Sequence, residues 1–336
     1  MKLPYFLLIG LFTLLAHCSL AQEIHSVAEI LKIMEESQVS YEINILSSVI
    51  PDEDRSGKLN YHIYYRKLKD GNLLTYQYER DSSLEVLISR AESLFADKKY
   101  AEAQQIYLDV VSKDSTAYDI MVYIGQIYGI QGDFAKEASW YEKVIGLNYI
   151  DYMAHWFLAD NYLKQGRKKD ALKEISIAQV LNRNNPRVHK SLTNIFDQNG
   201  LNVKEWAFTP QIMLDSTDDN HVKISYSNPW LGYAMAKAVW KYEPGYRVSM
   251  GIEGNNASTT EERECLAALL SSVDKKQMKK DPIFLALNYA IDKEMVNEYI
   301  FYEILLPKYP VVVNQLPQIF IEEIANYLVE VRGSIK

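Results

Sequence analysis

The sequence predicts a mainly α-helical protein: a solenoid of repeated helical hairpins, a further helical C-terminal region, and a candidate small β-hairpin in the N-terminal segment. Three observations predict this. Small and large residues recur together every 34 positions through the middle of the chain. No proline, the strongest helix breaker, lies between Pro51 and Pro186. Glycine is sparse, at 14 of 336 residues, where about 7% is usual. Apolar residues at 48% and charged residues at 24% are ordinary for a globular chain and exclude bulk disorder and a polytopic membrane protein. A net charge of −8 argues against a nucleic-acid binder that relies on overall charge.

Residues 1–21 read as an address. Lys2 precedes the apolar run 7–16, and Ser19-Leu20-Ala21 sets small residues three before and one before a cut ahead of Gln22. A basic start, a short apolar stretch and a small-x-small site describe a secretory signal peptide. A permanent span needs about 20 apolar residues, and this run is shorter. The expectation is a periplasmic or secreted protein with no stable membrane span after cleavage. A retained anchor and lipidation at Cys18 are the competing readings. Leu15-Ala16-His17-Cys18 has the outline of a lipoprotein site, but His17 stands where a small residue belongs. Cleavage leaves Cys265 alone, so no internal disulfide forms. The apolar helical context of Cys265 reads as a buried, inert thiol.

Residues 22–83 open with an amphipathic helical pattern, Val27, Ile30, Leu31 and Met34, followed by a polar break over Pro51–Gly57. Tyrosine-rich runs at 61–69 and 73–78 flank Asp70-Gly71. Asp-Gly between such runs is a hairpin signal, and helices prefixing the repeats are the alternative.

Residues 84–200 carry the repeats. Gly132, Gly166 and Gly200 form one ladder, and Ala91, Gly125 and Ala159 a second. Leu94, Tyr128, Tyr162 and Phe196 form a third, Tyr107, Tyr141 and Ile175 a fourth, and Val110, Val144 and Ala178 a fifth. A small residue lets two helices approach closely, and a large residue three further on fills the space beside it. The ladder glycines fall where a first helix must end, and a left-handed cap favours glycine there. The second helix carries an apolar stripe such as Ala171, Ile175 and Ala178.

This pattern resembles the tetratricopeptide repeat family over about residues 84–200. Lys99-Tyr100-Ala101-Glu102-Ala103 and the run 132–138 look like openings of second helices, and Ala103/Tyr107 and Ala171/Ile175 match the family's spacing. Departures are Glu137 where alanine is expected, Arg90 where leucine is expected, and Ser115, Tyr149 and Arg183 in place of the usual terminal proline. The resemblance implies three full repeats, a fourth first helix, and a concave face lined by first helices. It places Ile88, Val122, Trp156 and Lys190 on that face, then Glu92, Gln126, Asp160 and Asn194, then Phe95, Gly129, Leu163 and Asp197. Trp156 beside Asp160 is the expected anchor, a rigid aromatic next to a hydrogen-bonding group. The positions of a C-terminal-carboxylate clamp are Ile88, Glu92, Tyr123, Met153 and Phe157, none of them basic or asparagine, so a chaperone-tail clamp is not expected.

Residues 201–336 read as a mostly helical domain with strand-like pieces at 206–208 and 222–226, joined by an acidic loop over 215–220. That loop lacks the glycine and terminal glutamate of an EF-hand and reads as a solvated turn. Helices are expected after Pro229, after a Ser258–Glu261 cap, from Asp281-Pro282, and over about 314–331. No histidine pair has zinc-site spacing, and no phosphate loop or G-x-S-x-G elbow occurs. His155 and His189 stand at equivalent repeat positions and read as packing residues. The expected function is a non-enzymatic scaffold, without cofactor or metal, that holds a protein or peptide partner in the concave groove. The alternative is a small-molecule or glycan-binding protein, or an unrecognised enzyme, using the aromatics Trp230, Tyr233, Trp240, Tyr242 and Tyr246.

Overall fold

The computed structural model describes residues 24–335 except 56, 60–63, 71, 219 and 255–256. The expected signal peptide, Cys18 and the start of the first tyrosine-rich run lie outside the described residues. The chain opens with α1 (Val27–Glu36), closed by a reciprocal Ser26–Glu29 capping box. Strand β1 (Ser40–Ile45) follows, then an antiparallel hairpin of β2 (Tyr64–Lys69) and β3 (Asn72–Gln77). Lys69 pairs with Asn72 across the Asp-Gly turn, and Asp70 takes the positive φ, 51°, that a tight hairpin turn demands. The hairpin reading of this segment is the one the structure takes.

Seven helices then form three and a half hairpins. They are α2 (Ser82–Ala96) with α3 (Tyr100–Lys113), α4 (Tyr118–Ile130) with α5 (Phe134–Leu147), α6 (Tyr152–Lys164) with α7 (Lys168–Leu181), and the lone α8 (Pro186–Gln198). The small-residue ladder works as steric arithmetic requires. A Cβ on Gly125 would stand 2.5 Å from Cε1 of Tyr141, so only glycine admits that ring between α4 and α5. Ala91, Ala103, Tyr107, Tyr141, Ala159 and Ile175 are all fully buried. Gly132, Gly166 and Gly200 sit at φ 80°, 74° and 75°, ending α4, α6 and α8 in the left-handed region. The first hairpin uses the same cap without a glycine: Lys98 takes φ 61°, and the Lys99 amide donates to Leu94 O at 2.8 Å.

The C-terminal region folds back on the outer side of the repeats. Its longer helices are α9 (Leu231–Tyr242), α10 (Thr259–Leu270), α11 (Pro282–Asp292) and α12 (Gln318–Glu330), with a π-helical turn at Ile300–Leu305. α9 and α10 cross at Gly232, where a Cβ would lie 2.2 Å from Ala268 O. α12 packs along α7, and residues 175–181 of α7 are buried on every side. Arg183, just past α7, pairs with the buried Glu303 at 3.8 Å, and Arg332 pairs with the same carboxylate at 3.3 Å.

Two expectations are corrected. The acidic stretch 215–220 is no simple loop: β4 (Ile212–Asp218) pairs antiparallel with β5 (His221–Tyr226), and Asp215 stands opposite Lys223. That opposite-charge pair stabilises a strand in a sequence rich in turn formers. Residues 206–208 form no strand: Phe208 enters the core, and Trp206 stacks under the Arg332 guanidinium at 4.1 Å. The sheet has the order β1-β5-β4, with β1 parallel to β5.

The strained cap gives a direct test. A non-glycine residue in the left-handed region costs about 1 kcal/mol or more. Lys98→Gly is therefore expected to raise unfolding stability by about 1 kcal/mol in a urea titration. A loss of stability would contradict the cap assignment.

Candidate partner-binding groove

The principal contacts of α2, α4, α6 and α8 are with one another and with the second helices α3, α5 and α7. The C-terminal region covers α7, and among the described residues it makes no major contact with the face lined by first helices. Among the residues expected on that face, Glu92, Lys190 and Asn194 are exposed, while Gln126, Trp156 and Asp160 are half-buried.

Ile88 and Val122 are corrected: they are 0% and 1% exposed and belong to the core. Ile88 shares an apolar cluster with Ile120 and Ile124 of α4, because an aliphatic chain at this position is covered by the neighbouring first helix. A partner cannot touch either residue.

Trp156 at the equivalent position stays on the face by virtue of its size and its polar edge. Its indole stacks on Phe157 with centroids 5.1 Å apart, and Nε1–H donates to Ser191 Oγ on α8 at 2.8 Å. One turn later stands Asp160, whose carboxylate makes no hydrogen bond among the described residues. Burial pushes its pKa up to about 6, opposed by the charge of Lys164 and reinforced by that of Glu137. Phe95 and Tyr123, both half-buried and 6.1 Å apart, extend the face toward the first hairpin, and the buried Tyr107 backs Tyr123 at 5.6 Å.

Beneath the groove lies an arrangement that the residue pattern hid. Glu137 is buried in α5 and accepts from Asn161 Nδ2 at 2.7 Å and Tyr141 OH at 3.2 Å. Gly129 makes room for it, since a Cβ there would lie 2.4 Å from Glu137 Oε1. A glutamate where alanine belongs and a glycine on a ladder of large residues are therefore one coupled departure. Taken together, the two irregularities were the available signal.

Of the five C-terminal aromatics, Tyr242 is half-buried and donates its hydroxyl to Leu214 O at 3.3 Å. Trp230, Tyr233, Trp240 and Tyr246 are buried. Their polar edges are spent internally: Tyr233 OH on Glu262 at 2.8 Å, and Trp240 Nε1 and Tyr246 OH on Glu264 at 2.6 and 2.8 Å. A cavity of about 480 Å³ lies elsewhere, where the end of α5, α7, the β2–β3 hairpin and α12 meet. Its polar groups hold one another. His155 contacts Glu174 at 2.6 Å and Tyr149 O at 2.9 Å, and Tyr149 OH donates to Glu322 at 3.0 Å. His189, the repeat counterpart of His155, pairs with Glu205 at 2.6 Å.

No family model matches the chain, and no curated protein matches it. Solved structures similar to it cover about a third of its length. One is the Yersinia enterocolitica type III secretion chaperone SycD, in complex with a peptide of the translocator YopD: 20% identity over 36% of this chain and 97% of that one, TM-score 0.33. Another is the first TPR of Spaghetti (RPAP3) bound to an HSP90 peptide: 21% identity over 36% of this chain and 96% of that one, TM-score 0.33. A third is PcrH from Pseudomonas aeruginosa: 16% identity over 35% of this chain and 95% of that one, TM-score 0.32.

Asp160 gives the groove a pH signature. Its unfolded pKa is about 3.9, so the folded state holds the proton more tightly. The ionised carboxylate is a cost above pH 6 that fades as pH falls toward 4. Asp160→Asn is expected to stabilise the protein by roughly 1–2 kcal/mol at pH 7.5 in urea titrations, with the difference vanishing near pH 4. A destabilised variant at pH 7.5 would contradict the assignment.

Proposed function

We propose that this chain is an exported, non-catalytic scaffold whose open first-helix face holds a segment of another protein, with Trp156 and Asp160 as the anchor. The observation that carries the reading is Asp160. A carboxylate held half-buried, without a hydrogen-bond partner among the described residues and one turn from an indole, is a costly arrangement in the free protein. A partner's N–H or ammonium would satisfy it in a place already partly stripped of water, where a charge-assisted hydrogen bond is strong. Trp156 supplies the apolar surface beside it, and Gln126, Glu92, Lys190 and Asn194 supply a polar surround. Export rests on the residue pattern of 1–21. The burial of Trp230, Tyr233, Trp240 and Tyr246 counts against the ligand-binding alternative.

The test is comparative capture from the host's own envelope extract. Residues 22–336 are expected to retain a partner that the Trp156→Ala/Asp160→Ala chain binds at least about 30-fold more weakly, since losing an anchor of about 2 kcal/mol has that effect. Circular dichroism of the double variant should be unchanged. Equal capture by both baits would overturn the groove assignment. Intact mass of the protein recovered from the envelope should place its first residue at Gln22.

A further inference from the structure

The three-stranded sheet leaves one edge unguarded. Ser40 donates its amide to Asn220 O, just ahead of β5, and Leu46, just past β1, donates to Tyr226 O at the end of β5. Backbone groups alternate along a strand, so Tyr41, Ile43 and Ile45 aim their N–H and C=O groups away from β5. Among the described residues no strand pairs with that side of β1. Native edges are blunted by lysine, proline, a bulge or a covering element. β4, the opposite edge, has an irregularity between Ser216 and Asp218 and acidic side chains at Asp215 and Asp218. β1, Ser-Tyr-Glu-Ile-Asn-Ile, has neither lysine nor proline.

The same residues leave apolar surface open. Tyr41, Ile43 and Ile45 stand beside Val222, Ile224 and Tyr226 of β5 and share their side of the sheet. Tyr41 OH reaches Glu243 at the end of α9, which identifies that side as the core side. Val222 and Ile224 are buried, but Ile43 and Ile45 are 44% and 66% exposed, because the layer stops at β1.

We propose that β1 pairs antiparallel with β1 of a second copy, joining two sheets into one of six strands. The sequence of the edge selects both the occupant and the register. Antiparallel pairing sets outward-aimed residues opposite one another. Centred on Ile43, it pairs Tyr41 with Ile45, Ile43 with Ile43 and Ile45 with Tyr41, so all three outward-aimed residues of each strand are used. The opened apolar row then meets its own continuation. On the other side of the sheet Glu42 comes opposite Asn44, a pair that already hydrogen-bonds within one chain at 3.0 Å. Slipping by two residues one way sets Glu42 against Glu42, a like-charge pair directly opposed. Slipping the other way leaves Tyr41 opposite Ser47. The strand is self-complementary in one register.

Sedimentation velocity of residues 22–336 tests this, in a dilution series up to about 100 μM. A concentration-dependent dimer is expected, and Ile43→Lys should be monomeric across the range, because it opposes two ammonium groups. Ile43 is already part-exposed, so at dilutions where the parent is itself monomeric its lysine variant should keep the parent's melting temperature. An independent variant reads the register. Ile43→Cys sets two thiols on Cα atoms about 5.5 Å apart, within disulfide reach. Mild oxidation should give a covalent dimer, while Val49→Cys, beyond the strand and 79% exposed, should not. Cys265 is buried and does not compete. A parent chain that stays monomeric, a dimer that survives Ile43→Lys, or Ile43→Cys chains that fail to cross-link within the dimer would each overturn the proposal.

Discussion

The structure turns on the packing of α12 against α7. A second helix in a stack of hairpins ordinarily shows its far side to water. Here Ile177, Val180 and Leu181 are buried together with Ser176 and Gln179, so the far side of α7 is interior. Burying an aliphatic side chain is worth about 1.5–3 kcal/mol, so these residues alone bind the C-terminal region firmly to the repeats. The polar contacts at this seam keep its register. Glu303, in the π-helical turn, holds Arg332 and accepts from Tyr327 OH at 2.9 Å, while Arg183 approaches from the repeat side and stacks on Tyr302 at 4.1 Å. Removing one member of such a buried set leaves a charge without compensation, a cost of about 3–5 kcal/mol.

The consequence is a division of labour between the two sides of the solenoid. On the second-helix side, α7 is closed off by the protein's own C-terminal helices, which the β2–β3 hairpin joins through Arg66, donating to Asn314 O at 2.8 Å and Leu316 O at 2.7 Å, while α3 and α5 keep exposed outer faces. The first-helix side keeps half-buried aromatics and a carboxylate without a hydrogen-bond partner among the described residues. The sheet adds a third kind of surface, because its open edge offers backbone groups rather than side chains.

Much of the repeat region was legible because its information is local and periodic. A hairpin of 34 residues repeats its small and large positions, and each ladder reports a contact made within the next turn of chain. The Asp70-Gly71 turn was legible for the same reason. The sheet was not: β1 pairs with residues 221–226, far along the chain, and its apolar alternation is short. The caps show the limit of reading residue types. Lys98 adopts the left-handed geometry that glycine marks in the later hairpins, because the helix contacts around it fix the backbone. In the groove, the repeat register picks out Trp156, Asp160, Gln126, Glu92, Lys190 and Asn194, and each of them keeps some exposure. It failed at Ile88 and Val122, where side-chain chemistry, not register, decides whether a residue stays on the face or sinks into the core. Glu137 and Gly129 were visible only as separate irregularities, since their coupling is a matter of volume.

Native-state hydrogen exchange in rising denaturant tests the α7–α12 seam most directly. If the C-terminal region and the later repeats share one core, the amides of α7 and α12 should lose protection together, at one free energy and with one denaturant slope. The first hairpin, whose apolar cluster is separate, should open earlier. Protection of α7 that persists after α12 has exchanged would show that the C-terminal region is an independent unit, with no part in closing the outer side of the solenoid or in leaving the groove as its open face.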